Sequence, residues 1–375
     1  MKFFHVSDLH IGLNLLNRDL IEDQKYVLEK IIELTKKYEP NAIILAGDIY
    51  DRANPSAEAI ALFDSFINEL KNANENAYIF IISGNHDSAE RINLYRNILS
   101  NEKLFLIGKP PMNKDEFIEK ITLKDEYGNV NFYLLPFVKP GMVKNIFDDE
   151  KLTYNDAVRN LILRENIDKD ERNVIASHQF YLPLGKTSEE AERTESEIVT
   201  VGNIDEVKAD ILRAFDYAAL GHLHKGQTVG EYYIRYAGTP LECSISEAGQ
   251  DKGILFVELK EKGDINIEKL VIEPLRKIRK IEGKIEDILE NSSEDYVSVI
   301  VDDDELNSDI MDRLRAAFPY LLKVTRKDKE AADKMKTVMV EDKNEFDLIK
   351  EFLGEIDEDE EQILREIMEE IEGGE

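Results

Sequence analysis

The sequence predicts a layered α/β domain followed by a small α+β domain and a helical tail, and three observations carry that expectation. Short apolar runs alternate with amphipathic helical stretches over the first 260 residues. The rhythm changes after Pro274, and from Glu341 onward two apolar stripes stand on an acidic background. In the first part the apolar runs place strands at 2–7, 42–46, 78–83, 130–136, 174–177, 217–220, 232–237 and 254–259. Leu20, Val27, Ile31 and Leu34 recur at helical spacing across 19–38, with Pro40 as a stop. A second helix is expected from Asn54 as N-cap with Pro55 at its first position, presenting Ala59, Leu62, Phe63 and Phe66. The first three strands then form a β-α-β-α-β run.

Beyond Pro274 the pattern gives strands at 277–281, 296–301 and 322–326, with helices at 285–289 and 308–318. Two further helices are expected in the tail, one carrying Phe346, Ile349, Phe352 and Leu353, the other Ile363, Leu364, Ile367, Met368 and Ile371. The expected division is therefore a main domain at 1–274, a small domain at 275–340 and a helical partner-binding segment at 341–375.

Composition narrows the function classes. With 78 acidic against 48 basic residues the net charge is −30, which disfavours a broad basic surface for nucleic acid. Residues 341–375 hold 16 acidic and 3 basic residues, a net of −13 and over two-fifths of the excess. Any nucleic acid would be held through metal ions, backbone amides, local basic residues or a partner's positive surface. No apolar run approaches the roughly 20 residues that cross a bilayer, and Met1 leads straight into a strand-like segment without a secretion leader. The one cysteine, Cys243, allows no internal disulfide and no cysteine-built metal site, as expected of a cytoplasmic protein.

The chemistry-bearing residues sit where the strands stop. The first ends Ser7-Asp8-Leu9-His10, the second Gly47-Asp48, the third Gly84-Asn85-His86-Asp87, and later come Ser177-His178 and Gly221-His222-Leu223-His224. Ligands of open α/β sheets gather outside the carboxyl ends of strands, so these termini are expected to converge. Five of the six histidines belong to the set; His5 falls mid-strand and reads as structural. Imidazole with carboxylate oxygen suits Mn, Zn or Fe, and a shared carboxylate can bridge two ions, a construction commonly used to hydrolyse phosphate esters. Each piece alone has an ordinary reading, as a loop cap, a turn or a satisfied core histidine. Their joint occurrence in order, each at a strand end, favours two metals.

Taken together, D-x-H, G-D, G-N-H-D, H and G-H-x-H resemble the successive motifs of the calcineurin-like metallophosphoesterases. A narrower resemblance, to the nuclease subunits of SMC-type ATPase complexes, lies in Gly47–Arg52, in Arg235-Tyr236-Ala237-Gly238-Thr239-Pro240 after the G-H-x-H motif, in Ser246-Glu247-Ala248-Gly249, and in a loop around Glu192-Arg193 before Val201-Gly202. The resemblance implies a core of two mixed β-sheets flanked by helices, with the small domain as a cap. It implies one metal on Asp8, His10, Asp48 and His224, and a second on Asp48, Asn85, His178 and His222, with Asp48 as bridge. His86 would stabilise or protonate the leaving oxygen, with Asp87 orienting it. Relatives outside bacteria often carry histidine where this chain has Asp51, which leaves that position without an assigned role.

The activity so implied is manganese-dependent cleavage of DNA, exonucleolytic on double-stranded ends and endonucleolytic on single strands and hairpins. ATP dependence would come from an SMC-type ATPase partner, because this chain has no G-x-x-x-x-G-K-[ST] phosphate loop. The two tail stripes suit docking on the coiled-coil base of that partner, or packing on the chain's own small domain. The resemblance also implies a homodimer within a heterotetramer. Arg52, Lys186 and Arg193 are candidate DNA contacts by charge and by nearness to the motif loops. Competing readings are a free-standing phosphodiesterase or phosphatase on a small ester, and an inactive scaffold of a DNA-processing assembly.

Overall fold

The computed structural model describes residues 1–147, 151–186, 205–302 and 306–327. The tail stripes at 341–375 and the loop holding Arg193 lie outside the described residues. Two compact units are present, one of residues 1–279 with 294–296, the other of 280–293 with 297 onward.

The first unit contains two six-stranded mixed sheets. The first runs, in spatial order, Ile265–Val271, Gly253–Leu259, Lys2–Val6, Ala42–Ala46, Tyr78–Ile82 and Leu104–Ile107. The last four strands are parallel, and the first two are antiparallel additions. The second sheet runs Gln227–Val229, Glu231–Tyr236, Tyr217–Gly221, Arg172–His178, Gly128–Leu135 and Glu119–Asp125, with four parallel strands between antiparallel edges. Buried on both faces, the central strands read as unbroken apolar runs such as Ala42–Ala46.

The sheets pack face to face through Phe3, Phe80, Phe132, Val174, Tyr217 and Val257. Phe3 meets Phe132 edge-on at 5.6 Å and Tyr217 at 5.5 Å. Arg172, buried at the foot of the second sheet, bonds both oxygens of Asp125 and the carbonyls of Gly128, Leu259 and Lys260, tying one sheet to the other. Helix Ile21–Tyr38 lies against the outer face of the first sheet, where Tyr38 meets Phe4, and helix Tyr154–Leu163 packs on the second through Val158 and Leu161.

Helix Ala57–Ala73 begins two residues later than the sequence suggests. Its cap is Ser56, whose Oγ accepts from Ala59 N, while the Asn54 side chain is taken by Arg91 at 2.7 Å. The second unit builds a three-stranded sheet, Ile278–Gly283, Tyr296–Val301 and Leu321–Arg326, over a core of Ile285, Ile288, Val297, Val299, Leu314 and Phe318.

Candidate metal centre

The site forms where the carboxyl ends of both sheets meet. Strand Lys2–Val6 delivers Asp8 and His10, Ala42–Ala46 delivers Asp48, Tyr78–Ile82 delivers Asn85 and His86, Arg172–His178 ends in His178, and Tyr217–Gly221 leads to His222 and His224. The first two motif loops are zipped together by backbone bonds, Asp8 N to Gly47 O, His10 N to Asp48 O and Ile11 N to Ile49 O. Asp8, His10, Asp48 and His222 all carry positive φ, at 55°, 44°, 49° and 110°. Four such residues at one spot mark a backbone held in place by its surroundings. Gly84 is required by close approach, since a Cβ there would collide with the Asp48 carboxylate.

Asp8, His10, Asp48, His178, His222 and His224 are buried, and Asn85 and His86 are half-buried. His10 Nε2 and His224 Nε2 face each other at 3.1 Å, and Asp8 completes one group whose ligating atoms lie within 4.8 Å. Asp8, Asp48 and His178 form a second such group, with His178 Nε2 at 3.2 Å from Asp48 Oδ2. Asn85 Oδ1 lies 3.1 Å from His178 Nε2 and 3.0 Å from His222 Nδ1. All seven expected ligand positions are therefore brought together.

These residues fit divalent cations. The buried His10 Nδ1 has no hydrogen-bond partner, and two carboxylates buried side by side repel unless positive charge joins them. Burial, reinforced by the nearby His224, pushes the His10 imidazole well below its ordinary range, so it keeps a lone pair for a metal. Burial opposes ionisation of Asp48, but His178 and the other imidazoles prevail and hold it below the usual carboxylate range. Burial likewise opposes the charged form of His178, and Asp48 overcomes it, raising the imidazole to about 9. Asp8 is pushed up, chiefly by burial. His5, by contrast, is buried against Tyr217 Oη and the Leu220 carbonyl and depressed to about 3, the structural histidine the sequence suggests.

Asp87 does something other than orient His86. Its Oδ2 accepts from the backbone amides of Ile49 at 3.1 Å and Gly84 at 2.9 Å, and its Oδ1 from Tyr50 at 3.0 Å. The carboxylate thus clamps the Asp48 loop to the Asn85 loop. The His86 ring is held instead by the Asp51 carbonyl, which accepts from Nδ1 at 2.8 Å, and it stands edge-on to His10 with ring centroids 4.8 Å apart. That partner is a main-chain oxygen, and residue identity gives no signal for it. Arg52 is exposed beside the site, bonded to the Asp51 carboxylate, and Lys186 is exposed in the turn that follows strand Phe180–Leu182.

A two-sheet sandwich whose strand ends gather imidazoles and carboxylates defines the class, and comparison with known proteins agrees. The calcineurin-like phosphoesterase family matches residues 1–226, and the chain belongs to that family. It is a metal-dependent phosphoester hydrolase by class. Residues 274–371 match a domain described as the type 5 capsule protein repressor C-terminal domain. The chain is 30% identical over 360 residues, 94% of its length and 92% of the other's, to SbcD of the nuclease SbcCD from Staphylococcus epidermidis, which places it in the SbcD branch. Similar solved structures include a dimetal phosphatase from Danio rerio (TM-score 0.43, 16% identity, 73% of this chain and 98% of that one). GAP50, the anchor in the inner membrane complex of Plasmodium, is another (TM-score 0.38, 11% identity, 73% and 89%). No described helix is long and apolar enough to cross a membrane.

Proposed function

We propose that the chain is the nuclease subunit of an SbcCD-type complex, cleaving DNA as a 3′–5′ exonuclease on double-stranded ends and an endonuclease on single strands and hairpins. The observation that carries the reading is end-to-end similarity to SbcD of a nuclease SbcCD. Asp8, His10, Asp48 and His224 would hold one ion, and Asp48, Asn85, His178 and His222 the other, with Mn²⁺ as the working metal. Bound divalent ions supply Lewis-acid stabilisation of the phosphoryl oxygens and ease deprotonation of water. His86, half-buried where the site's other histidines are fully buried, meets the scissile ester from the open side. With Nδ1 committed to the Asp51 carbonyl, Nε2 is the ring atom that delivers a proton to the leaving oxygen.

An SbcC-like SMC-type ATPase would supply ATP dependence, and the helical segment 341–375 would dock on it, with 275–340 capping the nuclease domain 1–274. A homodimer within the heterotetramer is part of the same reading, and the exposed Leu94, Tyr95 and Ile98 offer apolar surface for it. The complex would work in the cytoplasm in DNA replication, recombination and repair. The net charge of −30 predicts weak, salt-sensitive binding of DNA by the isolated chain. The test is cleavage of circular single-stranded DNA with Mn²⁺ by wild type and His86→Ser, with a small aryl phosphodiester in parallel. Cutting that vanishes in the variant supports the reading. Hydrolysis of the small ester alone, unchanged when an SbcC-like ATPase is added, would replace it with a small-molecule phosphodiesterase.

A further inference from the structure

The Ser246-Glu247-Ala248-Gly249 stretch has no role in the reading above, yet it contains the most deeply buried glutamate of the described residues. Glu247 is 0% exposed and lies behind His224 on the side away from His10. Its Oε2 pairs with Lys252 Nζ at 2.6 Å, its Oε1 accepts from Ser244 Oγ at 3.0 Å, and Oε1 is 3.6 Å from His224 Nδ1. Lys252, itself buried, also donates to the His224 carbonyl at 2.9 Å, which Thr239 N reaches at 3.1 Å. One ion pair therefore bonds the His224 main chain through Lys252 and sets a carboxylate oxygen beside its ring.

The chemistry of a carboxylate in that place is specific. A negative oxygen beside Nδ1 favours the tautomer with its proton on Nδ1, which leaves the Nε2 lone pair pointing toward His10 and Asp8. At His178 the corresponding nitrogen, Nδ1, faces a neutral acceptor instead, donating to the Ala46 carbonyl at 2.8 Å. A carboxylate does more than a carbonyl, because it also raises the basicity of the opposite nitrogen.

We infer that Glu247, held by Lys252, is a positioning residue that fixes the tautomer of His224 and sets the affinity of one of the two divalent ions. The inference rests on His224 being a metal ligand, as proposed above. The test is Mn²⁺ titration of the full chain by calorimetry, alongside ¹⁵N shifts of the labelled histidines in the metal-free chain. Variants are Glu247→Gln and the double Glu247→Gln/Lys252→Met, which avoids stranding a buried ammonium. The expected result is two ions on wild type, and in both variants a 10–100-fold weaker affinity for one ion with the other within about threefold, together with loss of the pure Nδ1–H tautomer at His224. Unchanged affinities and an unchanged tautomer in the double variant overturn the inference while leaving the metal reading intact. Should the double variant fail to fold, the wild-type ¹⁵N shifts decide, since a pure Nε2–H tautomer at His224 overturns it outright. Failure of wild type to bind two ions overturns the metal reading itself.

Discussion

Replacing Asp87 with Asn separates a loop clamp from a catalytic dyad. In the wild type one carboxylate satisfies three buried amides, those of Ile49, Tyr50 and Gly84. The Asn amide oxygen can take the place of Oδ2 and keep two of them, but its NH₂ then faces the Tyr50 N–H. One buried donor is stranded, at about 1–3 kcal/mol, and two charge-assisted bonds become neutral ones, at roughly half their strength. The expected loss is about 3 kcal/mol, or roughly 5 °C in Tm for a unit of about 280 residues. Burial pushes the Asp87 carboxyl up to about 6, so melting is best followed at pH 8, where it is ionised, and in EDTA, so that metal binding does not enter. His86→Gln, melted in parallel, should stay within about 2 °C of wild type. An Asp87→Asn chain that melts like wild type yet loses turnover to the same extent as His86→Gln would refute the clamp and restore Asp87 to the side of His86.

Other outcomes follow from single contacts. Gly84→Ala sets a Cβ against the Asp48 carboxylate and should abolish binding of both ions, measured by Mn²⁺ titration, while far-ultraviolet circular dichroism stays native. His86→Ser should lose about 10²–10⁴ in kcat and keep both ions, since its ring works on the leaving oxygen. Asp125 gives a pH signature: burial alone would raise it, but Arg172 holds it down to about 2 from 3.8. A depressed carboxylate stabilises the fold above the unfolded value and loses that contribution as pH falls through the folded one. Urea unfolding of Asp125→Asn against wild type should therefore differ by about 2 kcal/mol more at pH 6 than at pH 2, with the change falling between about pH 4 and 2.

The centre of the fold was legible because its strands are buried on both faces. Runs such as Ala42–Ala46 and Tyr78–Ile82 have no polar alternation to confuse them. Among the strands that escaped notice, Glu119–Asp125 and Ile265–Val271 lie at sheet edges, where charged side chains such as Lys120 and Lys124 face solvent and blur the apolar signal, whereas Leu104–Ile107, also an edge, is as apolar as the centre and its residues give no reason for the miss. The site was legible for a related reason, in that His and Asp stand out against apolar strand ends. Its supports were not: the Asp51 carbonyl under His86 and the Ala46 carbonyl under His178 are backbone atoms, whose use no side chain announces. Glu247 and Lys252 were hidden differently, since charged residues are ordinarily at the surface and these two meet only when the chain folds. The pairing of Asp87 with His86 came from the family resemblance, and no residue pattern announced that the Asp87 carboxylate is taken by the amides of Ile49, Tyr50 and Gly84.

Anomalous diffraction at the manganese edge, from crystals of the full chain grown with Mn²⁺, measures the centre directly. Two peaks are predicted, one against Asp8, His10 and His224 and one against Asn85, His178 and His222, with the Asp48 carboxylate touching both. A single peak, or peaks away from these side chains, would contradict a two-metal phosphoesterase site built on Asp48.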